Sequence, residues 1–338
     1  MSDFNILTIP YLLAMFLAVN MGASGTSPSF SAAYGANIIK KSIIPGLFGV
    51  AVLAGALVAG GEVSLTLGKG LLEQSVFTPV NTSIILLSIS LSIFFANLIG
   101  VPQSTSQSTV LAIAGAATAI GGLNTKKLFY EIIPTWFILP IISFVIVFVL
   151  TKWILPLVKN KVKLVKFSNL SNHRYLKFFI VISSLYVAFS IGSNNVANAA
   201  APIASLTTNE IGSEKAVIPI TILSMLIVAP CFGIGSSLMG HKVTENTGKD
   251  IISVTPFNAV IISFVVATLL LLASITKGIP TSLVQLNSAA FIAISISKKG
   301  IKNTFNNKTI KKFFFVWIIA PLFAYLCSYS IILLVNKL

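Results

Sequence analysis

Acidic residues are scarce in this chain of 338 residues, which has 8 Asp and Glu against 23 Lys and Arg. Charged residues of both signs make up 9% of the chain, whereas a soluble domain has roughly 25%. A soluble fold of this size could not hide the apolar surface of a sequence that is 55% hydrophobic. The shortage of charge therefore indicates an integral membrane protein.

Cysteine and histidine are also scarce, with two residues of each. Cys231 and Cys327 stand alone inside apolar stretches, where a cysteine usually behaves as a small buried hydrophobe. The sequence has no metal-ligand spacing, no Walker phosphate loop and no acid and base pair placed for catalysis. We therefore predict that the chain is not an enzyme and holds no metal or cofactor.

Long hydrophobic stretches, in contrast, are abundant. Several reach the roughly 17 to 25 residues that cross a hydrocarbon core as a helix. They occupy residues 6–34, 42–60, 80–99, 102–122, 129–155, 178–208, 216–238, 256–276, 280–297 and 313–335. These stretches predict an all-α polytopic membrane protein, in contact with the lipid bilayer over most of its length.

Basic residues cluster on one side of this topology. If each stretch crosses once, one side receives Lys40 and Lys41, the central linker and the loop at 298–312. Cytoplasmic loops carry an excess of Lys and Arg, so we predict that this side is cytoplasmic and that both termini are outside. The formal charge of +15 then follows from topology rather than from nucleic-acid binding. Because Arg174 is the only arginine, we expect an AT-rich genome and a bacterial plasma membrane.

Short motifs recur in the same order in the two halves of the chain. The segment Gly100–Gln107 recurs as Gly278–Gln285 at an offset of 178, with four of eight residues identical. Further pairs recur at offsets of 180 (Gly60, Val63, Gly68 and Lys69 with Gly240, Val243, Gly248 and Lys249), 181 (Trp136 and Pro140 with Trp317 and Pro321) and 174 (Asn20, Ala23 and Pro28 with Asn194, Ala197 and Pro202).

This recurrence predicts an internal duplication. Five stretches per half is an odd number, so the halves enter the membrane from opposite faces, as in inverted-repeat transporters. We predict an N-terminal transmembrane repeat over 1–157, a basic cytoplasmic linker over 158–177 and a C-terminal transmembrane repeat over 178–338.

Polar side chains form four clusters inside the apolar stretches, two per half. Polar groups at this depth must face protein, water or substrate. The clusters are 20–31, 103–109, 192–198 and 281–288, and each contains or adjoins Gly or Pro. Such segments favour broken or re-entrant helices, whose free amides and positive N-terminal dipole can hold an anion. Helix packing alone is the simpler explanation of one such cluster, but the paired set favours a binding site.

Two of these clusters resemble the motifs of a known family. The segment 192–199, Gly-Ser-Asn-Asn-Val-Ala-Asn-Ala, resembles the Gly-Ala-Asn-Asp-x-x-Asn-Ala signature of the inorganic phosphate transporter (PiT) family. The segment 100–107 resembles that family's Pro-Val-Ser-Thr-Thr-His motif. The resemblance covers nearly the whole chain. It implies a dimeric secondary carrier with inverted repeats, which is coupled to sodium or protons and holds the anion near the midplane.

The resemblance also implies which side chains bind the substrate. The family's two Asn positions fall on Asn20 and Ser24 in the first half and on Asn194 and Asn198 in the second. The other positions of the two motifs fall on Ser104, Thr105, Ser106, Gln107, Asn195, Ser282 and Gln285. In the second half the hydroxyl pair of the family is replaced by Leu283 and Val284.

The ionisable positions of the family motifs are neutral in this chain. The Asp is replaced by Met21 and Asn195, and the His by Gln107 and Gln285. Hydrogen phosphate can donate a hydrogen bond to a carboxylate, but to sulfate a carboxylate would be an unmatched like charge. Amides supply donors instead. We therefore predict sulfate, as in the sulfate permease branch of the family, which the segment 60–63 also resembles. Thiosulfate, phosphate symport and an anion channel are the alternatives.

The coupling ion, H⁺ or Na⁺, is left open by the sequence. The acidic groups on which the sodium sites of the family depend are absent from the motifs. A proton route needs a titratable group inside the membrane. Glu62 and Glu131 are the nearest candidates, but both lie close to predicted segment ends. A solvated carboxylate at the interface is the simpler interpretation of each.

Overall fold

A computed structural model describes residues 3–35, 38–98, 103–157, 174–250, 255–306 and 308–337, and in these it is helical with no strand. The helices of the first half are α1 Asp3–Gly35, α2 Ile44–Ala59, α3 Gly61–Leu65, α4 Pro79–Leu98, α5 Thr105–Ile120 and α6 Ile133–Val149. Those of the second half are α7 Arg174–Asn195, α8 Ala197–Ile211, α9 Val217–Asp250, α10 Pro256–Lys277, α11 Leu283–Lys299, α12 Ile301–Phe305 and α13 Lys308–Val335. The all-α prediction is confirmed.

Shorter turns connect or extend several of these helices. Turns of π-helix cover Thr66–Gly70, Lys127–Ile132 and Leu150–Ile154. The first of them continues α3, and the other two lie on either side of α6. Most of the predicted linker lies outside the described residues, and α7 begins inside its last part, at Arg174.

Eight helical stretches of the described chain are long and apolar enough to cross a membrane. The two predicted stretches that fall short contain α5 and α11, which have 16 and 17 residues. Both are the second helix of a hairpin, α4 with α5 and α10 with α11. Because a full crossing takes about 20 residues, these short helices fit the predicted broken or re-entrant segments.

The helices of the two halves pack in matching pairs. Helix α1 packs on α9 and α4, and α7 packs on α2 and α10. Likewise α5 packs on α13, and α11 packs on α6. The motif offsets make α7, α9, α10, α11 and α13 the counterparts of α1, α2, α4, α5 and α6. Replacing each helix of a packed pair by its counterpart gives another of the packed pairs, as an internal duplication predicts. The inverted orientation of the halves stays a prediction.

Glycines allow the closest of these helix contacts. A Cβ on Gly235 would collide with the carbonyl of Val19, and one on Gly55 with the carbonyl of Phe189. Small residues are used in this way where membrane helices approach closely. Gly55 and Gly235 are equivalent residues, 180 positions apart in the sequence. The residues they contact, Val19 in α1 and Phe189 in α7, are 170 positions apart. Residues of α1 therefore correspond to residues of α7 at an offset of 170. The predicted offset of 174 is therefore wrong by one helical turn.

We expect Gly192→Ala to lower the yield of folded protein strongly. A Cβ at this position would overlap the carbonyl of Val52 in α2, and backbone cannot move aside as a side chain can. Size-exclusion chromatography of the detergent-solubilised protein measures the effect. Gly46→Ala is the matched control, because nothing lies within 4 Å of a Cβ there. Equal yields for the two variants would contradict the prediction.

The predicted helix breaks occur before α5 and before α11, where Ser104 and Ser282 have extended backbone, but not in α1. Helix α7 ends at Asn195 and α8 begins at Ala197, but Val196 between them keeps helical backbone angles, so Tyr175–Ile211 is one continuous helical stretch. Gly278, in the left-handed conformation with a φ of 59°, ends α10 before α11 starts. In contrast, α1 is continuous through the cluster 20–31. Its polar side chains bond within the helix, as Thr26 does to the carbonyl of Gly22, so no break is needed to satisfy them.

Candidate functional site

Equivalent serines begin the two short helices of the hairpins. The hydroxyl of Ser104 accepts a hydrogen bond from the backbone N–H of Gln107, at 3.2 Å. The hydroxyl of Ser282 accepts one from Gln285, also at 3.2 Å. Both serines have extended backbone and are buried. These are N-caps of the same geometry, and the first turns of α5 and α11 keep N–H groups that an anion can bind.

The starts of these two helices are joined by a pair of glutamines. The amide of Gln107 donates to Gln285, and the amide of Gln285 donates back to Gln107, both at 3.1 Å. The two residues occupy equivalent positions, 178 residues apart. Their pairing brings the N-terminal ends of α5 and α11 close together in the interior of the bundle.

Asn194 links the two helix starts and uses all of its hydrogen-bonding capacity within the protein. Its amide nitrogen donates to the hydroxyl of Ser274 at 2.9 Å and to the carbonyl of Ile279 at 3.1 Å. Its oxygen accepts from the backbone N–H of Thr281 at 3.0 Å and from the hydroxyl of Ser106 at 3.3 Å. An Asn amide has two N–H donors and two acceptor lone pairs. Asn194 therefore holds the break before α11 against α5.

In Asn195 and Asn198 the amide nitrogen donates hydrogen bonds, but the amide oxygen has no partner. The nitrogen of Asn195 donates to the hydroxyl of Thr105 at 3.4 Å. The nitrogen of Asn198 donates to the hydroxyls of Ser106 at 3.3 Å and Thr105 at 3.4 Å. Both amide oxygens are buried without a hydrogen-bond partner. A buried polar atom without a partner is costly, so these two amides are the strongest candidates to contact a ligand.

The first-half asparagine does not join this group. Asn20 donates to the carbonyl of Phe16 in its own helix, and Ser24 donates to the carbonyl of Met21. At the offset of 170, Ser24 rather than Asn20 corresponds to Asn194. Helix α1 reaches the site through Met21, whose sulfur lies 4.0 Å from the amide nitrogen of Asn198.

Sequence reasoning missed several residues that shape the site. Ser274 bonds both Asn194 and Ser193, but a single serine in an apolar helix gives no signal in the sequence. Trp136 donates its indole N–H to the carbonyl of Pro280 at 2.9 Å, which fixes the same helix break from α6. The recurrence of Trp136 as Trp317 in the second half was the available signal for this role.

The buried side chains of the described residues include no Asp, Glu, Lys, Arg or His. Every buried polar side chain among the described residues is Ser, Thr, Asn or Gln. Glu131 pairs with Lys127 at 2.9 Å and has a side chain that is 41% exposed, and Glu62 is also exposed. The side chains of residues 241–250, in the last part of α9, lie outside the described ones. A proton relay therefore has no buried carboxylate to use in the part of the interior that the structure describes.

Comparisons with known proteins agree with this architecture. A profile of the phosphate transporter family matches residues 21–328. The chain is 32% identical to the sulfate permease CysP of Bacillus subtilis over 96% of this chain and 87% of that protein. It is 26% identical to a predicted phosphate permease of Pyrococcus furiosus over 93% and 92% of the two chains.

A solved structure has the same fold. The protein titled "The sodium-dependent phosphate transporter" superposes with a TM-score of 0.83, at 23% identity, over 99% of this chain and 100% of that one. The match covers nearly the whole of both halves. Taken with the profile, it shows that the chain belongs to the phosphate transporter family and is a membrane-embedded anion transporter rather than an enzyme.

Proposed function

We propose that the chain is a secondary carrier for sulfate, by alternating access at the Asn195 and Asn198 amides. The observation that carries this proposal is the neutrality of the interior: every buried polar side chain of the described residues lacks a charge. A site of uncharged donors matches an oxyanion that brings no proton. The 32% identity to a sulfate permease supports the same substrate.

The hydroxyl of Thr105 allows one of the two amides at a time to turn its donors toward the anion, because Ser106 already donates its hydrogen to Asn194. A hydroxyl can donate as well as accept, so rotating either amide by half a turn lets its oxygen accept from the hydroxyl and frees its N–H groups. Sulfate at this place would also be within the field of the helix starts at Ser104 and Ser282. We expect these donors together to replace the water around the anion.

Competition between sulfate and phosphate tests the substrate. We expect purified protein in proteoliposomes to take up radiolabelled sulfate, and excess unlabelled sulfate to suppress uptake at least ten times more effectively than phosphate, a difference of about 1.4 kcal/mol. Liposomes without protein are the control. Phosphate uptake that excess sulfate does not reduce would refute the proposal and support the phosphate alternative, which the family and its solved relative favour.

Coupling to H⁺ or Na⁺ is part of the proposal, and it is tested by applying a gradient of each ion separately. Because the described interior offers no buried carboxylate, a co-transported cation would have to be held by neutral oxygens such as those of Asn195 and Asn198. Uptake driven by each gradient alone identifies the ion. We further propose a homodimer in a bacterial plasma membrane, with the linker 158–177 in the cytoplasm as its lysines predict.

A further inference from the structure

A second polar pocket lies away from the asparagine site. It is a shallow pocket, open to the surface, formed where the π-helical turn Thr66–Gly70 meets α8 and the start of α9. Its polar lining consists of Ser64, Lys69, Gln74, Ser205, Thr208 and Thr221. None of these residues belongs to the site already described, so the pocket needs an explanation of its own.

Gly68 determines the shape of this pocket. A Cβ at Gly68 would lie 2.5 Å from the hydroxyl oxygen of Ser205, so only glycine lets the turn approach α8 this closely. The hydroxyl of Ser205 donates to the carbonyl of Gly68 at 2.7 Å. Asn209, one turn further along α8, donates to the carbonyl of Gln74. The connection between α3 and α4 is therefore fixed against α8 at two points, one at Gly68 in the turn that carries Lys69 and one at Gln74 beyond it.

The free donors of the pocket favour an anion. The hydroxyls of Ser205, Thr208 and Thr221 already donate to backbone carbonyls. Ser64 is 3% exposed, and its hydroxyl is buried without a partner. Lys69 is exposed and makes no ion pair with any described residue. Ser64 and Lys69 both line the pocket, and a hydroxyl and an ammonium can both donate to the oxygens of a small oxyanion.

The pocket lies between the asparagine site and one end of the bundle. Ser205 follows Asn198 by seven residues in the same helix, or about 10 Å along its axis. The turn bearing Lys69 belongs to the 60–80 connection, which the distribution of lysines places outside the cell. An anion that enters from outside would therefore reach this pocket before it reaches Asn198.

We propose that Lys69 and Ser64 form an outer waiting site, which binds the transported oxyanion before it moves to Asn195 and Asn198. This inference rests on the proposed function, and it gives a role to the recurring Gly68–Lys69 motif that the asparagine site does not use. The waiting site raises the local concentration of the anion and takes no part in the later conformational change. It therefore affects KM for uptake rather than the maximal rate.

Lys69→Gln tests the waiting site. We expect KM for sulfate uptake to rise about fivefold, equivalent to about 1 kcal/mol, with the maximal rate within twofold of the wild type. Lys69→Arg keeps the charge and should restore most of the affinity. Lys126→Gln is the matched control, because it removes an exposed lysine beside Asn124, whose backbone bonds Leu71 at the same end of the bundle. Size-exclusion chromatography checks that each variant folds.

Ser64→Ala provides a second, independent measurement. It removes only the unpartnered hydroxyl, so it should raise KM in the same direction by a smaller factor. An unchanged KM in Lys69→Gln, or an equal rise in Lys126→Gln, would overturn the waiting site while wild-type sulfate uptake left the proposed function intact. A wild-type protein that took up no oxyanion would refute the proposed function and the waiting site together.

Discussion

Asn195→Asp should lower the initial rate of sulfate uptake by roughly 100-fold, because an unpaired buried charge costs on the order of 3 kcal/mol or more. Asn195 is 9% exposed, and the buried side chains of the described residues include no cation, so the new carboxylate would be buried without a positive charge to neutralise it. Facing sulfate, it would also be a like charge. Initial-rate uptake of radiolabelled sulfate in proteoliposomes measures the loss.

Asn195→Ala distinguishes the effect of the added negative charge from the effect of losing the amide group. Both variants remove the amide donors, but only Asn195→Asp adds a negative charge, so it should be the slower by at least about tenfold. The same carboxylate can accept a hydrogen bond from hydrogen phosphate, so phosphate uptake should suffer less than sulfate uptake. Sulfate uptake by Asn195→Asp equal to that of the wild type would show that the neutral-donor explanation is wrong.

Asn194→Ala should destabilise the protein by about 3 kcal/mol, because it leaves at least two buried polar groups without partners at roughly 1 to 3 kcal/mol each. The groups concerned are the N–H of Thr281 and the O–H of Ser106, whereas the carbonyl of Ile279 keeps a hydrogen bond from the Thr281 hydroxyl. Thermal unfolding of the detergent-solubilised protein, followed by loss of the monodisperse peak, measures the effect.

Asn198→Ala is the matched comparison for this prediction. Asn198 is as deeply buried as Asn194, with 0% exposure for both, but its amide oxygen has no partner and its nitrogen donates only to side chains. We therefore expect Asn198→Ala to lose transport with a much smaller loss of stability. Equal destabilisation by both variants would contradict the separation of a positioning asparagine from a ligand-binding one.

Local sequence signals predicted much of the fold. Hydrophobic stretches long enough to cross the membrane predicted most helices to within a few residues of their observed bounds. Helix α10, for example, covers residues 256–277, and the predicted stretch is 256–276. The recurrence of Gly100–Gln107 correctly identified Ser104 and Ser282 as equivalent, and they are N-caps of the same geometry. Such signals succeed because capping and hydrophobic length are decided within a few residues of the chain.

The register of α1 and the role of Asn194 could not be predicted in the same way. A shift of four residues along a helix returns a side chain to nearly the same face, so the sequence could not distinguish offsets of 170 and 174. Only the contacts of Gly55 and Gly235 with the opposite backbones decide it. Asn194 likewise resembles Asn195 in the sequence, and its role follows from Ser274 and Ile279, some 80 residues away.

The uncharged interior has a consequence for the energy source of transport. A carrier whose described core contributes no charge of its own moves the full double charge of sulfate through the electric field of the membrane. Inward movement against a negative interior then costs about 2.3 kcal/mol per charge for every 100 mV. Two monovalent cations per sulfate would only cancel this electrical work. A third would be needed before the membrane potential itself could drive accumulation of the anion.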